Sequence, residues 1–114
     1  MLYLLPHVRD YYGNVVTVHH NAVASFVNAG VDFLLLLVGH DVISTKMEAY
    51  LNSFLGSHKL GLVVLRVDVD ADPTTAVQLA VVVVPQLRLF YGGVEVTRYR
   101  GFVGYDKLLS LFVS

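Results

Sequence analysis

The sequence predicts an α/β domain in the order β-α-β-α-β-α-β-β-α, with a mixed central sheet and helices on both faces. Short β-branched or apolar runs alternate with segments of helical periodicity, the pattern of a parallel sheet with right-handed crossovers. One run, residues 31–38, is apolar except for Asp32 near its start, as suits a central strand covered on both faces. Two alternating segments flank Gly92-Gly93, which marks a hairpin adding antiparallel strands.

Val15-Val16-Thr17-Val18 makes a short strand, and Asn21 stands where it caps a helix over residues 22–28. Gly30 closes that helix, and the central strand follows. After a break at Gly39-His40-Asp41, the residues Ile43, Met47, Tyr50, Leu51, Phe54 and Leu55 recur at helical spacing, with Asp41 or Ser44 as cap and Gly56 as stop. Residues 60–69 form the next strand. Asp72 then accepts backbone N–H groups at the start of a short helix ending near Ala80, and Pro73 takes its first position, where a missing donor does no harm. Leu87-Arg88-Leu89-Phe90 and residues 94–99 pair as the hairpin, and Gly101 ends it. Tyr105, Leu108, Leu109 and Phe112 give the last helix one apolar face.

A chain of 114 residues suits a single domain spanning residues 1–114. Hydrophobic residues make up 55% and charged residues 15%, with a mean hydropathy of +0.61, so apolar surface is left over. Eight Lys and Arg against nine Asp and Glu give a net charge of -1, which argues against nucleic acid as a partner. The apolar runs fall short of the roughly 20 residues that span a bilayer. Residues 1–5 lack a basic leader and end at Pro6, so the expectation is a cytoplasmic protein with no membrane partner. The absence of cysteine removes disulfides, thiolate metal sites and cysteine nucleophiles together.

Val84-Pro85 followed by Leu87-Arg88-Leu89-Phe90-Tyr91-Gly92-Gly93 resembles the Ile-Pro-Thr-Leu-Leu-Leu-Phe-Lys-Asn-Gly segment of the thioredoxin family. Val67-Asp68-Val69-Asp70-Ala71-Asp72-Pro73, with Ala76, is similar to the stretch that carries that family's third strand into its third helix. The likeness covers almost the whole chain after Val15 and implies a thioredoxin fold. In its register the family's Trp-Cys-Gly-Pro-Cys-Lys site reads Asp41-Val42-Ile43-Ser44-Thr45-Lys46, and only the lysine is kept. The cysteines have become Val42 and Thr45, the tryptophan Asp41, and the family's buried acid Leu36. The resemblance also implies that Pro85 is cis and that the Val84 backbone is open to an extended peptide.

The function implied is a redox-inactive, non-catalytic binding or assembly module without a cofactor. Its contact surface is Asp41, Val42, Ile43, Thr45, Val84 and Pro85, and its occupant is a protein partner or a second copy. An alternative is a glutathione-like thiol-ligand site or transferase-type enzyme, with Val84 holding the ligand by its backbone and Thr45 replacing the thiol. A third is a purely structural subunit. Plainer roles stand beside these: a cis turn that orders a loop, and loops that already cover Val42 and Ile43.

The remaining polar residues offer weaker signals. His19 and His20 are adjacent, so on an extended chain they point opposite ways and do not clamp one ion. His40 with Asp41 is a formal proton-transfer pair near the Ser44 and Thr45 hydroxyls, but no nucleophile motif accompanies it. Asp68, Asp70 and Asp72 alternate as in a calcium loop, yet Pro73 stands where Gly is needed and Leu79 where Glu is needed. No metal is therefore expected; Asp68 and Asp70 are read as ending a strand in solvent. Arg98 and Arg100 share a strand face, with Arg88 nearby, and form either an anion-facing patch or edge charges that block sheet pairing. Tyr11-Tyr12 and residues 2–5 are expected to pack on the domain or on a second copy.

Overall fold

The computed structural model describes residues 13–58, 60–81 and 83–112. Residues 2–5, Tyr11, Tyr12 and the side chain of Phe112, for which packing was expected, lie outside the described residues. The elements are β1 (Val15–Thr17), α1 (His20–Asn28), β2 (Phe33–Val38), α2 (Val42–Ser57), β3 (Val63–Asp68), α3 (Pro73–Gln78), β4 (Gln86–Tyr91), β5 (Val94–Arg100) and α4 (Tyr105–Phe112). Their order is the expected one, with shifted ends. Helix α2 runs through Gly56, which does not adopt the left-handed backbone that makes glycine a helix stop. Strand β3 starts at Val63 rather than Leu60, and α3 ends at Gln78.

The five strands lie in the order β1-β3-β2-β4-β5. Strands β1, β3 and β2 are parallel, while β4 runs antiparallel to β2, and β5 to β4. Strand β2 sits in the middle, and none of its six residues is more than 1% exposed. Because strand side chains alternate, those six residues feed two cores. Leu34, Leu36 and Val38 pack with Met47, Leu51 and Phe54 of α2 and Leu108 of α4. Phe33, Leu35 and Leu37 pack with Val23 of α1, Val63, Leu65 and Val67 of β3, and Leu79 beyond α3. There Phe33 stacks on Phe90 at 4.5 Å between centroids and meets Phe26 edge-on at 5.7 Å.

The hairpin turn places both glycines in the left-handed region, Gly92 at φ 60° and Gly93 at φ 81°. A Cβ on Gly93 would stand 2.4 Å from the Val27 carbonyl oxygen, so the tip is pressed against the last turn of α1. Asp32 Oδ1 accepts the Gly92 N–H at 2.8 Å and holds it there.

Strand β5 is an edge, and Arg98 and Arg100 are exposed on it. Arg98 donates to both Glu95 oxygens, at 2.7 and 2.9 Å. Arg88, paired opposite Arg98, reaches the same Glu95 carboxylate from inside, with Nη1 3.9 Å from Glu95 Oε1. It is 2% exposed, and its guanidinium donates to Gln86 Oε1 at 3.0 Å and to the Leu79 carbonyl at 2.7 Å. Burial is tolerated because those donors have partners. Among the described residues no helix is long and apolar enough to cross a membrane.

Candidate functional site

Strands β2 and β3 end side by side, with Val38 opposite Asp68, and the loops that leave them build the site. The first loop is fixed by the start of α2. Asp41 is its N-cap: Oδ2 accepts the Ser44 N–H at 3.0 Å and Oδ1 accepts the Ser44 hydroxyl at 2.7 Å. The buried Ser44 Oγ in turn accepts the Gly39 N–H at 3.1 Å, and the Thr45 hydroxyl donates to the Asp41 carbonyl at 3.1 Å. The Ser44 hydroxyl and N–H hold the Asp41 carboxyl below its ordinary range. Polar groups that sequence reasoning offered as nucleophiles are thus committed to building the helix start.

What this leaves outward is apolar. Val42 is 68% exposed and Ile43 45%. The Val84–Pro85 peptide bond is cis. A Cβ on Gly39 would stand 3.1 Å from Asp41 Oδ1 and 3.2 Å from both Val84 Cγ2 and Asp70 Oδ2, so the bare glycine lets Val84 close against the loop leading into α2. Asp41 and Val84 thus both border Gly39, and Val42 and Ile43 follow Asp41 directly. Among the described residues, nothing takes up the Val84 backbone N–H or C=O. Pro85 differs from the expected contact residue in being buried, its carbonyl accepting the Gly101 N–H at 2.8 Å; it shapes the surface without forming part of it. Leu36, in the register of the family's acid, lies in the apolar core.

Beyond Ile43 the surface continues along α2. A shallow, mostly apolar cavity of about 400 Å³ is lined by Lys46, Ala49, Tyr50, Ser53 and Phe102, with Phe102 set edge-on to Tyr50 at 5.2 Å. Sequence reasoning missed Phe102, because it lies in a loop whose place beside α2 is set only by the sheet.

The second loop carries the acids. Asp68 Oδ1 accepts the N–H groups of Asp70 at 3.0 Å and Ala71 at 3.1 Å, while Oδ2 lies 2.7 Å from His40 Nε2. Asp70 Oδ2 accepts the His40 backbone N–H at 2.8 Å and lies 3.9 Å from His40 Nδ1. Asp68 and Asp70 are therefore not idle strand-end charges, as the sequence suggested. The hydrogen bond to Asp68, more than any other influence, raises the His40 pKa. Burial pushes the Asp68 carboxyl up, but His40 and the two N–H donors outweigh it and hold it below its ordinary range. His40 thus faces these carboxylates and not the Ser44 and Thr45 hydroxyls.

A third aspartate serves another helix. Asp72 Oδ2 accepts the His20 N–H at 3.1 Å and lies 3.2 Å from His20 Nδ1 and 3.4 Å from His19 Nδ1. The two histidines share a partner after all, because the chain turns into α1 between them. Asn21 falls inside the helix rather than at its cap, and Asp72 makes no side-chain cap on α3. The His20 N–H is the main cause that holds the Asp72 carboxyl far below its ordinary range.

No family model matches the sequence, and no curated protein matches it either. Solved structures do. A variant thioredoxin from Halobacterium salinarum superposes with a TM-score of 0.73 at 20% identity, over 88% of each chain. Thioredoxin f from spinach chloroplast gives 0.71 at 24% identity, over 89% of this chain and 92% of that one. Thioredoxin from Trypanosoma brucei brucei gives 0.70 at 14% identity, over 82% and 83%. At these identities the likeness is one of fold. The chain has a thioredoxin fold, and it carries that fold without a single cysteine.

Proposed function

We propose that this chain is a non-catalytic binding or assembly module, which uses the surface of Asp41, Val42, Ile43 and Thr45 beside Val84 and Pro85 to hold a protein partner or a second copy. One observation carries the reading: at the start of α2, where the resemblance places the redox pair, the exposed Val42 and half-exposed Ile43 stand near Val84, whose backbone N–H and C=O no described residue takes up. Complete burial of such a side chain is worth roughly 1.5–3 kcal/mol, and covering the part of each that is still exposed recovers a share of that, enough for a small interface anchor. Thiol–disulfide exchange has no thiol to proceed through. The glutathione-like alternative gains nothing from Thr45, whose hydroxyl is bonded to the Asp41 carbonyl.

The test is the mass in solution together with capture of partners by the immobilised chain, each repeated with Ile43→Asp. The expected result is an oligomer or a retained partner that the substitution releases while the thermal melt stays native-like. A wild-type monomer that retains nothing would refute the proposal.

A further inference from the structure

We propose that His40, Asp68 and Asp70 form a binding site for a divalent transition-metal ion, with Zn²⁺ as the reference ion. One imidazole nitrogen and two carboxylate oxygens, from segments 28 residues apart or more, place their ligand atoms within 4.8 Å of one another. A nitrogen with two oxygens suits Zn²⁺ or its neighbours better than Mg²⁺ or Ca²⁺, which favour all-oxygen shells. Three protein ligands leave positions for water, as in an open site.

Several features favour an ion here independently of the ligand count. The cluster stands outside the carboxyl ends of two adjacent parallel strands, the place where open α/β sheets take their ligands. The carboxylates are held before any ion arrives: the Asp70 and Ala71 N–H groups fix Asp68 from behind, and the His40 backbone N–H fixes Asp70. A third carboxylate, Asp41, closes on Gly39 together with Asp70, their oxygens 3.1 and 3.2 Å from where a Cβ would stand, so a cation there meets more negative charge than its ligands alone supply. His40 is exposed, which gives an ion a path from solvent. The metal takes the place of the proton between His40 Nε2 and Asp68, which is released to the buffer, and the imidazole supplies its lone pair. The sequence conceals this site because His40 is far along the chain from both aspartates.

Calorimetric titration of ZnCl₂ into the purified chain at neutral pH, in a non-chelating buffer, tests the proposal, with Co²⁺ absorption as a second readout. The expected result is one ion per chain. His40→Ala and Asp70→Asn should each weaken binding by about tenfold or more. Both residues are exposed, so the variants should melt like the wild type. His20→Ala, which alters the other histidine–aspartate cluster, should bind as tightly as the wild type. Absence of binding at millimolar metal would overturn the proposal. So would unchanged affinity in His40→Ala, or a loss of affinity in His20→Ala.

Discussion

Helices α1 and α2 both begin just beyond a parallel strand, and each gives a backbone N–H of its first turn to an aspartate. For α2 the aspartate is the residue next to the helix, Asp41, whose two oxygens serve the N–H and hydroxyl of one nearby serine. For α1 it is Asp72, 52 residues further on, which also faces both histidines at the helix start. A local cap fixes one turn of one helix. A distant cap additionally joins α1 to the segment leading into α3, so its removal should be felt in two places.

Ser44→Ala should be the most damaging change at either helix start. It removes a buried hydroxyl that accepts from Gly39 and donates to Asp41, and leaving the Gly39 N–H unpaired should cost about 1–3 kcal/mol in denaturant unfolding. Asp72→Ala comes next, lowering the melting temperature by several degrees. In hydrogen exchange its loss of protection should reach both the first turn of α1 and the segment around α3, whereas Asp41→Ala should expose α2 alone. A loss confined to α1 would show that Asp72 does not link the two segments.

The same contrast has a pH signature. Because the folded-state pKa of Asp72 is depressed, its contribution is complete above the ordinary aspartate value of 3.8 and is lost as the pH falls below it. The difference in stability between wild type and Asp72→Ala should therefore be constant near neutrality and shrink in acid. A gap that widened in acid would contradict the assignment. The smallest effect belongs to Asn21→Ala, expected within about 0.5 kcal/mol of wild type because this side chain is not the cap.

These helix starts also show what the sequence could reveal. Asp41 was legible as a cap because its acceptor and donor are three residues apart, and the central strand was legible because six apolar residues in succession have few other uses. The surface at Val42, Ile43 and Val84 was legible only through the family resemblance. Asp72 looked like a cap for its own helix, since nothing nearby reveals that the sheet brings His20 to it. Arg88 alternates with apolar residues as a half-exposed strand would, and its burial depends on the Leu79 carbonyl, whose position is set by α3. His40 gave no metal signal for the same reason: pairing of β2 with β3, and not spacing along the chain, carries it to Asp68.

The contact between Gly93 and Val27 bears on engineering. Hairpin tips are usually the safest places to graft an epitope, insert a reporter or open new termini. Here the tip is a wedge seated on a helix end, and any side chain at that glycine would meet the Val27 carbonyl, so added residues would prise the outer strands from α1. The solvent side of α2 around Gly56, where an added Cβ meets nothing, is the better place to attach a label.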